Sequence, residues 1–195
     1  MTDVFAQCPI FTSTHYLARQ TTPKDANDLL QVYSDPAAVP LFNSDNCGGD
    51  DFHYQTLARM TKAIAYWQTE YAYHGFVRWS IIDRQTKKAI GTVEIFDRHA
   101  DDFFDDTAIL RLDLGSAYEQ SEAIAEIMNL FLPQITNCFV SSNVATKAPR
   151  AAHARIDALK QLGFTGSSEV LVGHDGTAYT DYFTLPTRLA AIKVN

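Results

Sequence analysis

The chain is 195 residues long, 46% hydrophobic and 20% charged, with a formal net charge of -7. That length supports one sizeable core and is read as one domain over residues 1–195. The acidic balance excludes a nucleic-acid partner, which needs a basic face for phosphate, and neither a spanning apolar run nor a Lys/Arg patch marks a membrane partner.

The opening stretch MTDVFAQCPIF holds an acid and no basic segment, so it is not read as a secretory signal and a cytoplasmic location is expected. Cys8, Cys47 and Cys138 are scattered and odd in number, and form neither a disulfide framework nor a zinc pattern. Residues 14–21 (THYLARQT) alternate as a first strand. Thr22-Pro23-Lys24-Asp25 opens a helix, with Thr22 as N-cap, Pro23 at the first helical position and Asp25 complementing the dipole. Ala26, Leu29, Leu30 and Tyr33 share one face of it, and Ser34-Asp35-Pro36 ends it. Residues 43–51 (NSDNCGGDD) form a loop. Residues 53–73 read as a long helix, with Leu57, Met60, Ile64, Trp67 and Tyr71 at helical spacing. Strands at 76–83 and 89–97 form a hairpin around a polar turn. An acidic loop over 98–106 (RHADDFFDD) leads to a third strand at 107–114. A helix over 122–137, a strand over 139–147 and a helix over 150–162 follow, the last closed by Gly163 as a left-handed C-cap. A hairpin of 169–173 and 178–185 surrounds His174-Asp175-Gly176. The order β-α-α-β-β-β-α-β-α-β-β implies a mixed α/β (α+β) sheet with helices against it.

Residues 111–131 (RLDLGSAYEQSEAIAEIMNLF) carry the most information. They read as a strand, a short turn and the start of an amphipathic helix. A helix start of this kind is an anion site, because its first-turn N–H groups have no internal acceptor and the dipole is positive there. Glycines usually let the backbone approach a phosphate at such a turn; here Gln120, Ser121, Glu122, Ala123, Ile124 and Ala125 stand in their place.

The element order and several local strings resemble the GNAT superfamily of acyl-CoA-dependent N-acetyltransferases, in particular its Rim-type branch, over about residues 11–185. The strings are STHYLAR (13–19), LLQVYSDP (29–36), WSIIDR (79–84) followed by AIGTVEIF (89–96), LKQLGF (159–164) and DYFTL (181–185). The resemblance implies a mostly antiparallel sheet splayed at its centre, with helices on both faces. It implies acetyl-CoA as co-substrate, no metal, and direct transfer of the acetyl group to an amine acceptor, either a protein N-terminus or a small amine. The pantetheine arm would pair with the strand edge at Leu112 and Leu114, where a backbone N–H near Leu114 would hold the oxyanion. The pyrophosphate would sit on Gln120, Ser121, Glu122, Ala123, Ile124 and Ala125. An alternative register places Glu119 and Glu122 at the motif positions and puts two carboxylates beside the phosphates. A carboxylate about 5 Å from one phosphate charge costs roughly 3 kcal/mol at an effective dielectric near 20; the Gln120 register is preferred on that ground. The branch's Asn and Ser near the thiol fall here on Ala152 and Arg155. The other class of function compatible with these departures is a GNAT-fold binding or regulatory module without turnover.

Three side chains are candidates for the chemistry. Glu94 either points into the cleft as a base for the amine or is a solvent-facing strand residue. Asp113 either orients the amine or faces water at a strand end. His153 either replaces the missing acid near the thiolate or is an exposed helix histidine. In the acidic loop, Asp101, Asp102, Asp105 and Asp106 lack a calcium-loop frame and read as solvated. Phe103 and Phe104 are expected to cover the acceptor cleft or to pack at a homodimer contact.

Overall fold

The structure is a computed structural model and describes residues 3–190. Its chain order begins with β1 (Phe11–Thr12), β2 (Tyr16–Gln20), α1 (Ala26–Tyr33), α2 (Leu57–Ala72), β3 (Val77–Asp83), β4 (Ala89–Arg98) and β5 (Thr107–Leu114). It continues with α3 (Ser121–Phe131), α4 (Ile135–Cys138), β6 (Asn143–Lys147), α5 (His153–Gln161), β7 (Thr165–Gly166), β8 (Leu171–Val172), β9 (Ala178–Tyr179), β10 (Tyr182–Pro186) and α6 (Thr187–Ala190). One eight-stranded sheet runs β1-β2-β3-β4-β5-β6-β10-β7, and β8 pairs with β9 alone. Every pairing is antiparallel except β5 with β6. Among the described residues, no helix is long and apolar enough to cross a membrane.

Strand alternation decides which helix each side chain meets. Val77, Trp79, Ile81, Val93, Ile95, Leu110, Leu112 and Leu114 pack with Ile124, Ile127 and Met128 of α3 and Ala158 and Leu159 of α5. The opposite face lies under α1 and α2, whose Leu29, Tyr33, Met60, Ile64 and Trp67 form a second cluster. The sheet residues beneath that cluster are polar: Arg78, Ser80, Thr92, Glu94, Arg111 and Asp113 are all buried. Gly91 sits where β5 crosses closest to β4, and a Cβ there would lie 2.2 Å from the Asp113 carbonyl oxygen. Gly91→Ala is therefore expected to force the two strands apart and lower unfolding stability by about 1–3 kcal/mol, measured by urea denaturation.

Several boundaries differ from the sequence reading for local reasons. α2 begins at Leu57 rather than residue 53, because the Thr56 side chain accepts from the Arg59 N–H (3.2 Å) and caps it there. The helix expected over 122–137 stops at Phe131; Pro133 has no N–H to continue it, and α4 resumes at Ile135. β6 is five residues long, since Ser141 and Ser142 bond to Asp97 and Asp106 instead of joining the ladder. α5 starts at His153 and ends on Gly163, at φ +85°. The last hairpin is split, because Asp181 at φ +66° ends the β8–β9 ribbon and turns the chain back into the main sheet. The short strands β1 and β7 were not expected.

Candidate functional site

The parallel pairing of β5 with β6 runs from Thr107–Asn143 to Leu110–Thr146. Past Leu110, β5 continues to Leu114 with no β6 partner, so the two strands splay. The Leu112 carbonyl faces this gap, and by alternation the backbone groups of Leu114 do too. At the end of β5, the turn through residues 115–120 enters α3. Gln120 N–H bonds to Tyr118 O (2.8 Å) and Ile124 N–H to Gln120 O (2.9 Å). Ser121, Glu122 and Ala123 are left as the first-turn residues whose amides have no intrahelical acceptor, and no side chain caps them. The expectation thus narrows to those three, with Ile124 already bonded and Ala125 in the helix body. Glu122 is exposed to solvent, which screens its charge from an anion at the turn.

The gap between the strands holds Arg155. Its guanidinium is buried and donates to Leu112 O (2.9 Å), Leu41 O (2.8 Å) and the Glu119 carboxylate. His153, two residues earlier, is exposed at the start of α5 and joins no part of this arrangement.

Glu94 and Asp113 lie across β5 from the gap, on the α1–α2 face. Strand register lines Arg78, Glu94 and Arg111 up in one row and Ser80, Thr92 and Asp113 in the next. Arg78 binds one Glu94 oxygen through both Nε (3.0 Å) and Nη2, and Arg111 Nη1 binds the other at 2.6 Å. Arg78 Nη1 also reaches Tyr33 Oη (2.8 Å), Thr92 Oγ1 (3.1 Å) and Asp113 Oδ2 (3.2 Å). Tyr33 donates to Asp113 Oδ2 at 2.8 Å. The guanidinium of Arg78 stacks 4.1 Å from the Trp67 ring, and that of Arg111 5.1 Å from Phe96. Burial pushes the Glu94 carboxyl up, but the two arginines outweigh it and hold it below the usual carboxylate range. Burial also pushes Asp113 up, and there Arg78 and Tyr33 only partly offset it. Neither carboxylate faces water, the simpler expectation for each: Glu94 is 1% and Asp113 0% exposed. Each is a member of a buried hydrogen-bonded network, and Glu94 also lies at the floor of the cleft above it.

Above this row opens a cavity of about 700 Å³ walled by Phe52, Tyr54, Tyr66, Trp67 and Phe76, with Arg78, Glu94 and Arg111 at its floor. A second cavity of about 440 Å³ adjoins it, sharing Asn46, Phe96, Arg111 and His174 and bordered by Asp97, Arg98 and Asp101. Together they form a cleft between the α1–α2 loop, α2 and the β8–β9 ribbon. The first half of the acidic loop borders this cleft. Phe104 does not: it is fully buried against Ile109, Ala145, Leu171 and Tyr182, while Phe103 is 58% exposed. The lid reading is thereby withdrawn for Phe104.

The row Arg78–Glu94–Arg111, with Tyr33 above it, was missed in the sequence. The available signal was a pair of polar residues two apart in each of three otherwise apolar strands: Arg78 and Ser80, Thr92 and Glu94, Arg111 and Asp113.

A splayed mixed sheet with a strand edge open beside a helix N-terminus defines an α/β acyltransferase-type fold. Residues 16–165 match the family model described as "Acetyltransferase (GNAT) domain". The chain belongs to the GNAT acetyltransferase family. Among solved structures it is similar to a ribosomal-protein-S5-alanine acetyltransferase from Vibrio fischeri, at 15% identity and TM-score 0.68, covering 92% of this chain and 97% of that one. It is also similar to a GNAT-family acetyltransferase from Bacillus anthracis, at 9% identity, TM-score 0.67, and 92% and 99% coverage. A third is RimJ from Mycobacterium smegmatis in complex with CoA-disulfide, at 14% identity, TM-score 0.63, and 87% and 79% coverage. These likenesses support the Rim-type resemblance in fold. No curated protein gives a significant match.

Proposed function

We propose that this chain transfers an acetyl group from acetyl-CoA to a primary amine. The observation that carries the reading is that groove and cleft share β5: its backbone past Leu110 opens to the strand gap, and the side chain of Arg111 on the same strand lines the aromatic cleft. The gap fits the coenzyme in chemical kind. Leu112 O already accepts from an N–H donor, Arg155, that stands in for an amide of the pantetheine arm. The residues that would hold acetyl-CoA are Leu112 and Leu114 through their backbone, and Ser121, Glu122 and Ala123 through their amides. The coenzyme supplies a thioester carbonyl for the amine to attack. The family membership and the CoA complex of the mycobacterial neighbour support the same choice.

On this reading Glu94 and Asp113 are positioning residues. They hold Arg78 and Arg111 under the cleft floor, and the amine loses its proton to solvent within the cleft. Asp97 and Asp101 at the rim, with aromatic walls, suit a cationic amine or a basic peptide N-terminus. Rate against pH is expected to follow the acceptor's own pKa, rising until the amine is neutral. Thiol release from acetyl-CoA, measured across polyamines, amino acids and short peptides from pH 6 to 10, tests this. A bell-shaped profile common to all acceptors would return the proton to a side chain.

The second reading, a GNAT-fold binding module without turnover, is favoured by one observation, the burial of Arg155 in the gap. Absence of any amine-dependent thiol release, together with absence of coenzyme binding, would select it.

A further inference from the structure

Arg155 joins three segments that are distant in sequence and adjacent in function. One N–H goes to Leu112 O on the β5 edge, and the same nitrogen goes to Leu41 O in the α1–α2 loop that walls the cleft. The other end of the guanidinium holds Glu119 in the turn leading to α3. The side chain is 2% exposed and fills the gap between the strands. Glu119 is equally enclosed, with its side chain 8% exposed. A buried ion pair of this sort gains little net stability over apolar packing of the same volume. What it does here is geometric: it occupies the carbonyl that a strand-pairing ligand needs, and it ties the ligand groove to the acceptor loop.

We propose that Arg155 and Glu119 form a latch that closes the coenzyme groove in the unliganded protein, and that coenzyme entry displaces Arg155 from Leu112 and so releases the α1–α2 loop at Leu41. This rests on the acetyltransferase reading and adds its regulation. The ligand must exchange its own N–H for that of Arg155 at Leu112 O, so coenzyme affinity is lowered by the fraction of time the latch is closed. That exchange frees one tether of the loop over residues 38–56, at Leu41, while Asp45 stays bound to Lys147 and Arg111. Acceptor binding is therefore coupled to coenzyme binding, and the coupling is reciprocal.

The test is titration of acetyl-CoA into the wild-type chain and into Arg155→Ser, Glu119→Gln and Asp157→Asn, with hydrogen exchange across residues 38–56. Arg155→Ser and Glu119→Gln are expected to bind acetyl-CoA at least tenfold more tightly than wild type. Both are expected to show faster exchange in the loop without ligand, and wild type with saturating acetyl-CoA should reach the same exchange. Asp157→Asn, which removes an exposed charge from the same helix as Arg155 and leaves the latch intact, should change affinity less than threefold. If Arg155→Ser does not fold, Glu119→Gln still opens one side of the latch and carries the test. Equal affinity in wild type and both latch variants, with coenzyme bound, overturns the latch and leaves the acetyltransferase reading standing. Weaker binding in Arg155→Ser overturns it in favour of Arg155 as a direct coenzyme ligand. No acetyl-CoA binding in any of the four proteins overturns both the latch and the acetyltransferase reading.

Discussion

Phe104→Ala is expected to lower the unfolding free energy by about 3–5 kcal/mol, whereas Phe103→Ala should change it by no more than about 0.5 kcal/mol. The two rings are neighbours in sequence and touch edge to face, with centroids 5.1 Å apart. Their surroundings are opposite. Phe104 is 0% exposed and packs its ring 5.2 Å from that of Tyr182, among Ile109, Ala145 and Leu171. The Phe104 pocket joins β5, β6, β8 and β10, so a cavity there has no flexible side to collapse onto. The loop that carries it is also fastened, since Asp102 accepts from Arg98 and from the Val172 N–H (2.9 Å). Phe103 has no such enclosure. Urea denaturation of both variants checks the difference. The Phe103→Ala protein further tests whether this ring makes a homodimer contact, through its elution volume by size exclusion. A loss at Phe104 below about 1 kcal/mol would mean that the ring leaves its pocket easily, and would reinstate it as a mobile cover.

That result bears on what was legible beforehand. The alternation of residues 107–114 and the helical spacing from residue 122 onward are local properties; the strand lies where the pattern put it, and the helix begins there but stops at Phe131, short of the expected residue 137. The resemblance to the GNAT fold rested on strings in such elements, and the family model over residues 16–165 spans all of them but the start of the first and the last, at 181–185. The acidic loop was different: FF between pairs of aspartates has no period, so nothing in the string separates a buried ring from an exposed one. The charged row failed for a related reason. Arg78, Glu94 and Arg111 occupy the same face of three strands, but which of them are opposite one another depends on the register. That register is shifted by the irregularity at Ile81/Ile82, which no turn residue announces. Arg155 was located as the residue standing in place of a Ser, yet an arginine on a helix reads as solvent-facing. Its acceptors at Leu41, Leu112 and Glu119 come together only through the tertiary fold. Pro133 and Thr56 are the contrary cases: each is a local stop or start signal that was readable and was overridden by the apolar spacing around it.

Glu94→Gln is expected to cost about 3–5 kcal/mol of stability at neutral pH, because it removes the one anion between two buried arginines. Arg78 and Arg111 have side chains 2% and 10% exposed, and neither can neutralise itself by losing a proton. The sign of the pH dependence follows from the Glu94 carboxyl being held below its ordinary value. Its stabilisation is fully present above the unfolded pKa, about 4.3, and is lost as pH falls through the lower folded value. Asp113 runs the other way, since its folded pKa is raised: what it contributes is present in acid and is lost as pH rises through that value. The difference between wild type and Glu94→Gln reports the first group together with the smaller change at Asp113, whose pKa the Glu94 charge helps to raise. That difference should be largest at pH 6–7, shrink below about pH 4.3 as the unfolded chain's carboxyl takes up a proton, and level off only below the lower folded value, where the folded carboxyl is neutral too and Gln is nearly its isostere. Urea unfolding of both proteins at a series of pH values measures it. A difference constant with pH would assign the loss to packing instead of charge. The quadruple variant Arg78→Met/Glu94→Leu/Arg111→Met/Asp113→Asn, which also neutralises the carboxylate that Arg78 pairs, separates stability from function. With no uncompensated charge left under the cleft, it should recover most of the stability that Glu94→Gln loses. It should still lose acceptor turnover, if the row serves to shape the cleft floor and not to hold the sheet together.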